Sequence, residues 1–131
     1  MLLGQSIHKT DSKNRLSIPA RIRNTSDFTK QHYIRYHEMG FLEVGQLEDF
    51  EDLNDTFMAY AAPFYDIFKT PDASGRVVIP EHLMSMIRDT GDDSLMIFGR
   101  GKTFGICSPR QWPSIQEQFK QKIQKLSRQP E

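Results

Sequence analysis

Residues 11–19 read DSKNRLSIP, and residues 72–80 read DASGRVVIP. Asp, Arg, Ile and Pro recur at identical relative positions, and apolar Leu16 aligns with Val77. The offset, Asp11 to Asp72, is 61 residues. That is far too long for a solenoid unit and close to half of a 131-residue chain, as a duplicated half-domain would give. Residues 1–62 are read as one half-domain and residues 63–131 as the other. Each carries one charged D-x-x-x-R turn, and the two halves are expected to interleave into one domain.

Working outward from the turns, both halves show the same order of elements. Leu2 to Thr10 and Ile67 to Thr70 lead in as strands, and Arg15 to Ile18 and Arg76 to Ile79 lead out, each stopped by Pro. A short helix should follow each stop. The second is the clearer, with Pro80 at its first turn, Leu83, Met84 and Ile87 at helical spacing, and Gly91 as its cap. Hairpins then pair Tyr33–Tyr36 with Phe41–Val44, and Leu95–Phe98 with Phe104–Cys107. Their tips hold Gly40 and Gly101. The echo continues at an offset of 62: Leu42 matches Phe104, Val44 matches Ile106, and Phe50 matches Trp112. Each half closes with an amphipathic stripe. One is Leu47, Phe50, Leu53, Phe57 and Ala61. The other is Ile115, Phe119, Ile123 and Leu126, with Ser108-Pro109 as its predicted N-terminus and Pro113 as a break that could detach a short first turn. Both stripes read as core or subunit interface. Strands this short cannot stand alone, so the halves should form one small sheet or barrel.

Composition narrows the class. Apolar residues make up 37% of the chain and include nine Phe, which suits a small polar domain that gains from partners. The lone Cys107 excludes an intrachain disulfide and fits a reducing compartment. No apolar run approaches a membrane span and no signal-peptide pattern opens the chain, so a cytoplasmic location is expected. The net charge of zero conceals an asymmetry. Residues 1–35 hold seven cations against Asp11 and Asp27, whereas residues 36–56 hold seven acids and no Lys or Arg. Segregation of this kind speaks to partners: a basic lobe for phosphate, and an acidic stretch that faces away from a polyanion or meets a neighbouring subunit.

In the turns themselves, Asp11 and Asp72 are placed to accept backbone N–H groups two or three residues ahead. Asn14 and Gly75 share the slot that favours positive φ. These four residues shape the turns. Arg15 and Arg76 can pair with the preceding Asp, and the same pairing can hold a guanidinium rigidly toward phosphate or a guanine edge. Lys13 tips the first turn, where the second has Ser74. Lys9, Arg21 and Arg23 add cations that the sequence assigns to the first lobe. One turn offers two or three phosphate contacts, near the non-specific range of roughly 10⁻⁴–10⁻⁶ M. Linked modules raise avidity by about 10²–10⁴, which favours a homo-oligomer on repeated DNA.

The run LLGQSIHKTDSKNRLSIPARIR at residues 2–23 resembles the N-terminal signature of the MraZ family of bacterial transcriptional regulators. DASGRVVIP resembles that family's second signature, and the Trp112 region its closing segment, so the similarity spans almost the whole chain. The resemblance implies an α+β, mainly β fold: a duplicated swapped-hairpin (double-split) β-barrel with flanking short helices, related to the AbrB superfamily. It also implies a ring-like homo-oligomer that binds double-stranded DNA at short direct repeats in a promoter. The site would lie upstream of the division and cell-wall gene cluster, usually under repression, in the cytoplasm at the nucleoid. The DNA-facing residues that the resemblance implies are Asp11, Lys13 and Arg15 of the first turn and Asp72 and Arg76 of the second, and the charge pattern itself adds Lys9, Arg21 and Arg23 to the expected DNA-binding set. Asn14 stands where the family usually has Gly, and the acidic stretch 43–55 diverges from the family pattern.

Two other classes fit the sequence less well. An enzyme is not expected: His8, His32, His37 and His82 lack metal-ligand spacing, with His32 and His37 read as surface residues. No P-loop, G-x-S-x-G or G-x-G-x-x-G occurs, and no cofactor or metal is called for. An antitoxin-like protein-binding module of the same superfamily would carry a disordered C-terminal tail. Here the tail is short and patterned as a helix.

Overall fold

A computed structural model describes residues 1–50, 54–70 and 75–128. The fold is α+β, mostly antiparallel strands with short helices. In chain order the elements are β1 (Gln5–Lys9), β2 (Arg15–Ser17), α1 (Ala20–Arg23), β3 (His32–His37), β4 (Phe41–Gln46), α2 (Asp55–Ala61), β5 (Tyr65–Phe68), β6 (Arg76–Val78), α3 (Glu81–Ile87), β7 (Ser94–Gly99), β8 (Phe104–Cys107) and α4 (Trp112–Ser127). Single 3₁₀ turns flank α2 at Leu47–Asp49 and Ala62–Phe64.

Six strands form one sheet in the order β1-β7-β8-β4-β3-β5, and β2 pairs with β6 in a separate ribbon. The pairing crosses between the halves. β1 lies on β7, and β5 lies on β3, so each lead-in strand rests on the other half's hairpin. The sequence repeat reappears as a local twofold. Leu42 faces Ile106 and Val44 faces Phe104 around the Glu43–Gly105 pair, and Arg15 faces Val78 and Ser17 faces Arg76 around Leu16–Val77. The sheet ends on β1 and β5, and among the described residues no ladder closes it into a barrel.

Strand periodicity sorts the apolar side chains into two cores. Leu42, Val44, Leu95, Ile97, Phe104 and Ile106 point inward, where they meet Leu16, Ile18 and Ile22 of the first half and Val77, Ile79, Leu83 and Ile87 of the second. The alternate positions Phe41, Met96, Phe98 and Cys107 point outward and are covered by Trp112, Ile115 and Phe119 of α4. Both faces of β7 and β8 are therefore buried, which is why these strands read as continuous apolar runs.

Several expectations need correction. The helix after Pro80 ends at Ile87, four residues short of Gly91, because Arg88 is already extended. Gly91 instead takes φ +78 in the following loop. Ser108 does not cap α4. Its Oγ accepts the Gln111 N–H in a preceding turn, and the helix starts at Trp112 with Pro113 in its first turn, where a missing N–H costs nothing. The first apolar stripe is not one helix. It divides into a 3₁₀ turn at Leu47 and a helix at Asp55, with Leu53 outside the described residues, and α2 buries no side chain. His32 and His37 are buried rather than on the surface. Five positions apart on β3, they face opposite sides of a sheet that is covered on both. His32 stacks on Phe28 at 4.5 Å and His37 on Phe41 at 4.4 Å.

Candidate nucleic-acid interface

The first turn closes as its residue types require. Asp11 Oδ1 accepts the Lys13 N–H at 2.9 Å and the Arg15 N–H at 3.0 Å, and the Asp11 carbonyl accepts the Asn14 N–H at 3.1 Å. Asn14 takes φ +58, and Gly75 takes φ +73 at the matching place. Arg15 Nε donates to Asp11 Oδ2 at 2.6 Å, which leaves both Nη groups without a partner among the described residues. The Arg15 N–H is the largest influence on the Asp11 carboxyl. With the guanidinium and the Lys13 N–H it holds that group at about 2, so the carboxylate that orients Arg15 stays charged at any ordinary pH. An Arg fixed at Nε and open at Nη1 and Nη2 can meet phosphate or a base edge with little rotamer entropy left to lose.

Strand register then sets where the two arginines point. Leu16 and Val77 are buried at the centre of the β2–β6 ribbon, so Arg15, Ser17, Arg76 and Val78 share its outer face. Arg15 and Arg76 sit diagonally across the ribbon, roughly 8 Å apart at Cα by strand geometry. Arg76 is exposed and has no side-chain partner among the described residues. Asp72 lies outside the described residues. Lys9 is exposed at the end of β1, and Lys13 is exposed at the turn tip. The ribbon thus brings Asn14 and Gly75 together, with backbone bonds Ile18 N–H to Gly75 carbonyl at 2.8 Å and Ile79 N–H to Asn14 carbonyl at 3.0 Å.

Arg21 and Arg23 are placed differently from each other. Arg21 donates to the Leu3 carbonyl at 3.1 Å and to Ser6 Oγ at 3.0 Å, toward the end of β1 away from the first turn. Arg23 donates to the Ile18 carbonyl at 2.9 Å and lies over Gly75 of the second turn, where an added Cβ would stand 1.8 Å from its Cδ. Arg23 therefore lends a cation to the turn that looked poorer in sequence. The sequence also gave no sign of a brace on the first turn. Asn14 Nδ2 donates to Glu81, and Arg88 donates to Asn14 Oδ1, tying the first-half turn to α3 of the second half. Beside it lies a 460 Å³ cleft lined in part by Asp11, Asp92, Asp93 and Arg88. Its acids repel phosphate, so a polyanion would meet the outer face of the ribbon and not this cleft.

Part of the acidic stretch is consumed within the chain. Glu43 is buried on β4, where it accepts from Arg35 Nε at 3.0 Å, Arg100 Nη1 at 2.7 Å and Tyr33 OH at 3.2 Å. Arg100 comes from the second hairpin, so this ion group also joins the halves. Among the described residues, no cluster of His, Cys, Asp or Glu is arranged to hold a metal ion, and no helix is long and apolar enough to cross a membrane.

Fold and site together define a small α+β protein of two cross-paired halves that presents Arg15 and Arg76 on one face of a ribbon. The chain is 29% identical to the transcriptional regulator MraZ of Roseiflexus sp. (strain RS-1), in an alignment of 133 positions covering 88% of this chain and 86% of that protein. This bears out the resemblance to the MraZ family as a similarity to that regulator over most of the chain. No family model matches it.

Proposed function

We propose that this protein is a DNA-binding transcriptional regulator that reads double-stranded DNA with the outer face of the β2–β6 ribbon. The observation that carries the reading is the shared outward face of Arg15 and Arg76, with Arg15 locked to Asp11 by its Nε and open at both Nη groups. The name of the Roseiflexus relative supports the regulatory role. Asp11 acts as a positioning residue. Arg15, Arg76, Lys9 and Lys13 supply the contacts, and Arg23 supports the second turn. Asp72 enters by its match to Asp11 in the repeat. The role is non-enzymatic.

The finer reading follows the family resemblance. The two half-domains form a swapped-hairpin barrel, supported by the crosswise pairing of β1 with β7 and of β5 with β3. Copies of the chain assemble in a ring over short direct repeats in the promoter of the division and cell-wall gene cluster and repress it. Such a regulator works in the cytoplasm, at the nucleoid. Gel-shift titration with the DNA upstream of the gene tests the reading. Arg15→Ala should weaken binding at least tenfold with the secondary structure unchanged, and wild-type affinity should fall steeply between 50 and 200 mM salt, as counterion release requires. Unchanged affinity in the variant would remove the first turn from the interface, and a flat salt response would remove phosphate contact altogether.

A further inference from the structure

Of the four side chains on the outer face of the β2–β6 ribbon, one is apolar. Arg15, Ser17 and Arg76 are charged or polar, whereas Val78 is a 58% exposed hydrocarbon beside them. A lone exposed Val on an ordinary surface needs no explanation. This one stands directly opposite Arg15 in the register, with Cβ atoms about 5 Å apart, on the face that Arg15 and Arg76 leave open to a partner. Its neighbours Val77 and Ile79 are buried in the core, and Val78 is not part of it.

The sequence repeat sharpens the point. Val78 aligns with Ser17, so the two copies differ at this outward position of the ribbon while keeping the arginine at the other. The local twofold therefore sets Arg15 beside Val78 at one end of the ribbon and Arg76 beside Ser17 at the other. The ends lie about 7 Å apart along the strands, or about two base steps of a duplex. A two-stranded ribbon fits the major groove, where the 5-methyl group marks thymine and is read by apolar contact. A serine hydroxyl both donates and accepts, so the Arg76–Ser17 end suits several bases.

We infer that Val78 is a specificity-determining residue: it packs on the 5-methyl group of a thymine in the major groove, next to the base pair that Arg15 addresses. This rests on the DNA reading above and names a base that the ribbon selects. Phosphate contacts from Lys9 and Lys13 set position and carry no sequence, whereas a methyl contact does. Because the Arg76–Ser17 end lacks the apolar contact, the ribbon has a direction along the groove despite its twofold backbone. It selects a site that has no twofold of its own.

The test is a gel-shift titration of the duplex upstream of the gene against the same duplex with deoxyuridine for every thymine. The exchange removes the methyl groups and keeps the base pairs and phosphates. Wild-type protein should lose about fourfold in affinity for each thymine methyl that Val78 covers, the worth of one buried methyl group. Duplexes substituted one thymine at a time should assign that loss to particular positions. Val78→Ser, which gives the second copy the residue of the first, should bind both duplexes alike, at the wild-type affinity for the uracil duplex. Its salt dependence should match wild type, since no phosphate contact is lost, and its circular dichroism should be unchanged because the side chain is exposed. Equal wild-type affinity for the thymine and uracil duplexes would overturn the assignment and leave the DNA reading intact. So would a Val78→Ser protein that still prefers thymine, which would place the methyl discrimination elsewhere. A wild type that binds neither duplex would overturn the DNA reading, and this assignment with it.

Discussion

At the scale of single residues, the two turns differ in what holds their left-handed position. Asn14 is tied from outside by Glu81 and Arg88, whereas Gly75 is covered by Arg23. Gly75→Ala should therefore suffer twice, from positive φ and from displacing Arg23 off the Ile18 carbonyl. Gly91 provides the control, with φ +78 and nothing within 4 Å of an added Cβ. Gly91→Ala should cost about 1–2 kcal/mol in urea denaturation, the strain of a left-handed alanine. Gly75→Ala should exceed it by about 1 kcal/mol, the scale of one lost hydrogen bond. Equal costs would mean that the Arg23 contact contributes nothing to stability. The tolerance of Asn14 and Gly75 for positive φ was legible from residue type. The Arg23 cover was not, because it joins residues far apart in the chain.

At the scale of elements, α4 is one helix with two environments along its length. Its first half is core: Ile115 is buried against the Phe41–Phe98 cluster, and Phe98 meets Trp112 at 4.6 Å and Phe119 at 5.8 Å. In its second half every residue from Lys120 to Ser127 is exposed. Ile115→Ala should cost about 2–5 kcal/mol in the isolated chain, the range for emptying a buried aliphatic site. Ile123→Ala, measured in the same denaturation series at concentrations that keep the chain monomeric, should lie within about 0.5 kcal/mol of wild type. A large loss at Ile123 would place that side chain against its own chain. The helical period of Ile115, Phe119, Ile123 and Leu126 was readable from sequence as one continuous stripe. Where burial stops along it depends on where the sheet ends, and no local pattern encodes that. The same limit applies to Leu47–Ala61, whose helical spacing is real but whose backbone divides because the chain has to leave β4 and return to β5.

At the scale of the whole molecule, the halves are fastened to one another by the crossed strands, by the Arg35–Glu43–Arg100 group and by the buried His32 ring stacked on Phe68. His32 is fully buried. Its Nδ1 faces the Lys30 carbonyl at 3.0 Å, which can only accept, so the neutral ring carries its proton there and Nε2 accepts from Ser26 Oγ at 2.9 Å. Burial lowers the His32 pKa against the opposing pull of the Lys30 carbonyl, Asp27 and Glu48, and burial lowers that of His37 as well. The folded state therefore binds fewer protons than the unfolded chain once pH falls below about 6.5, the ordinary histidine value. Stability should be full above that pH and decline below it. Asp11, already lowered to about 2, has no part in that window. Melting temperature measured from pH 8 to pH 5 should be level to about 6.5 and then drop, and a level profile throughout would mean that neither ring must stay neutral for folding.

By itself the sequence determined the duplication, the strand–turn–strand units, the hairpins and the identity of the turn arginines. These follow from short-range chemistry, in which Pro stops a strand, Asp accepts the next N–H groups, and alternation sets a face. Tertiary structure alone decided that each half's first strand lies on the other half's hairpin, that Arg23 serves the second turn while Arg21 stays at the start of β1, and that Glu43 is spent on Arg35 and Arg100. Each of these joins residues distant in the chain that only packing brings together.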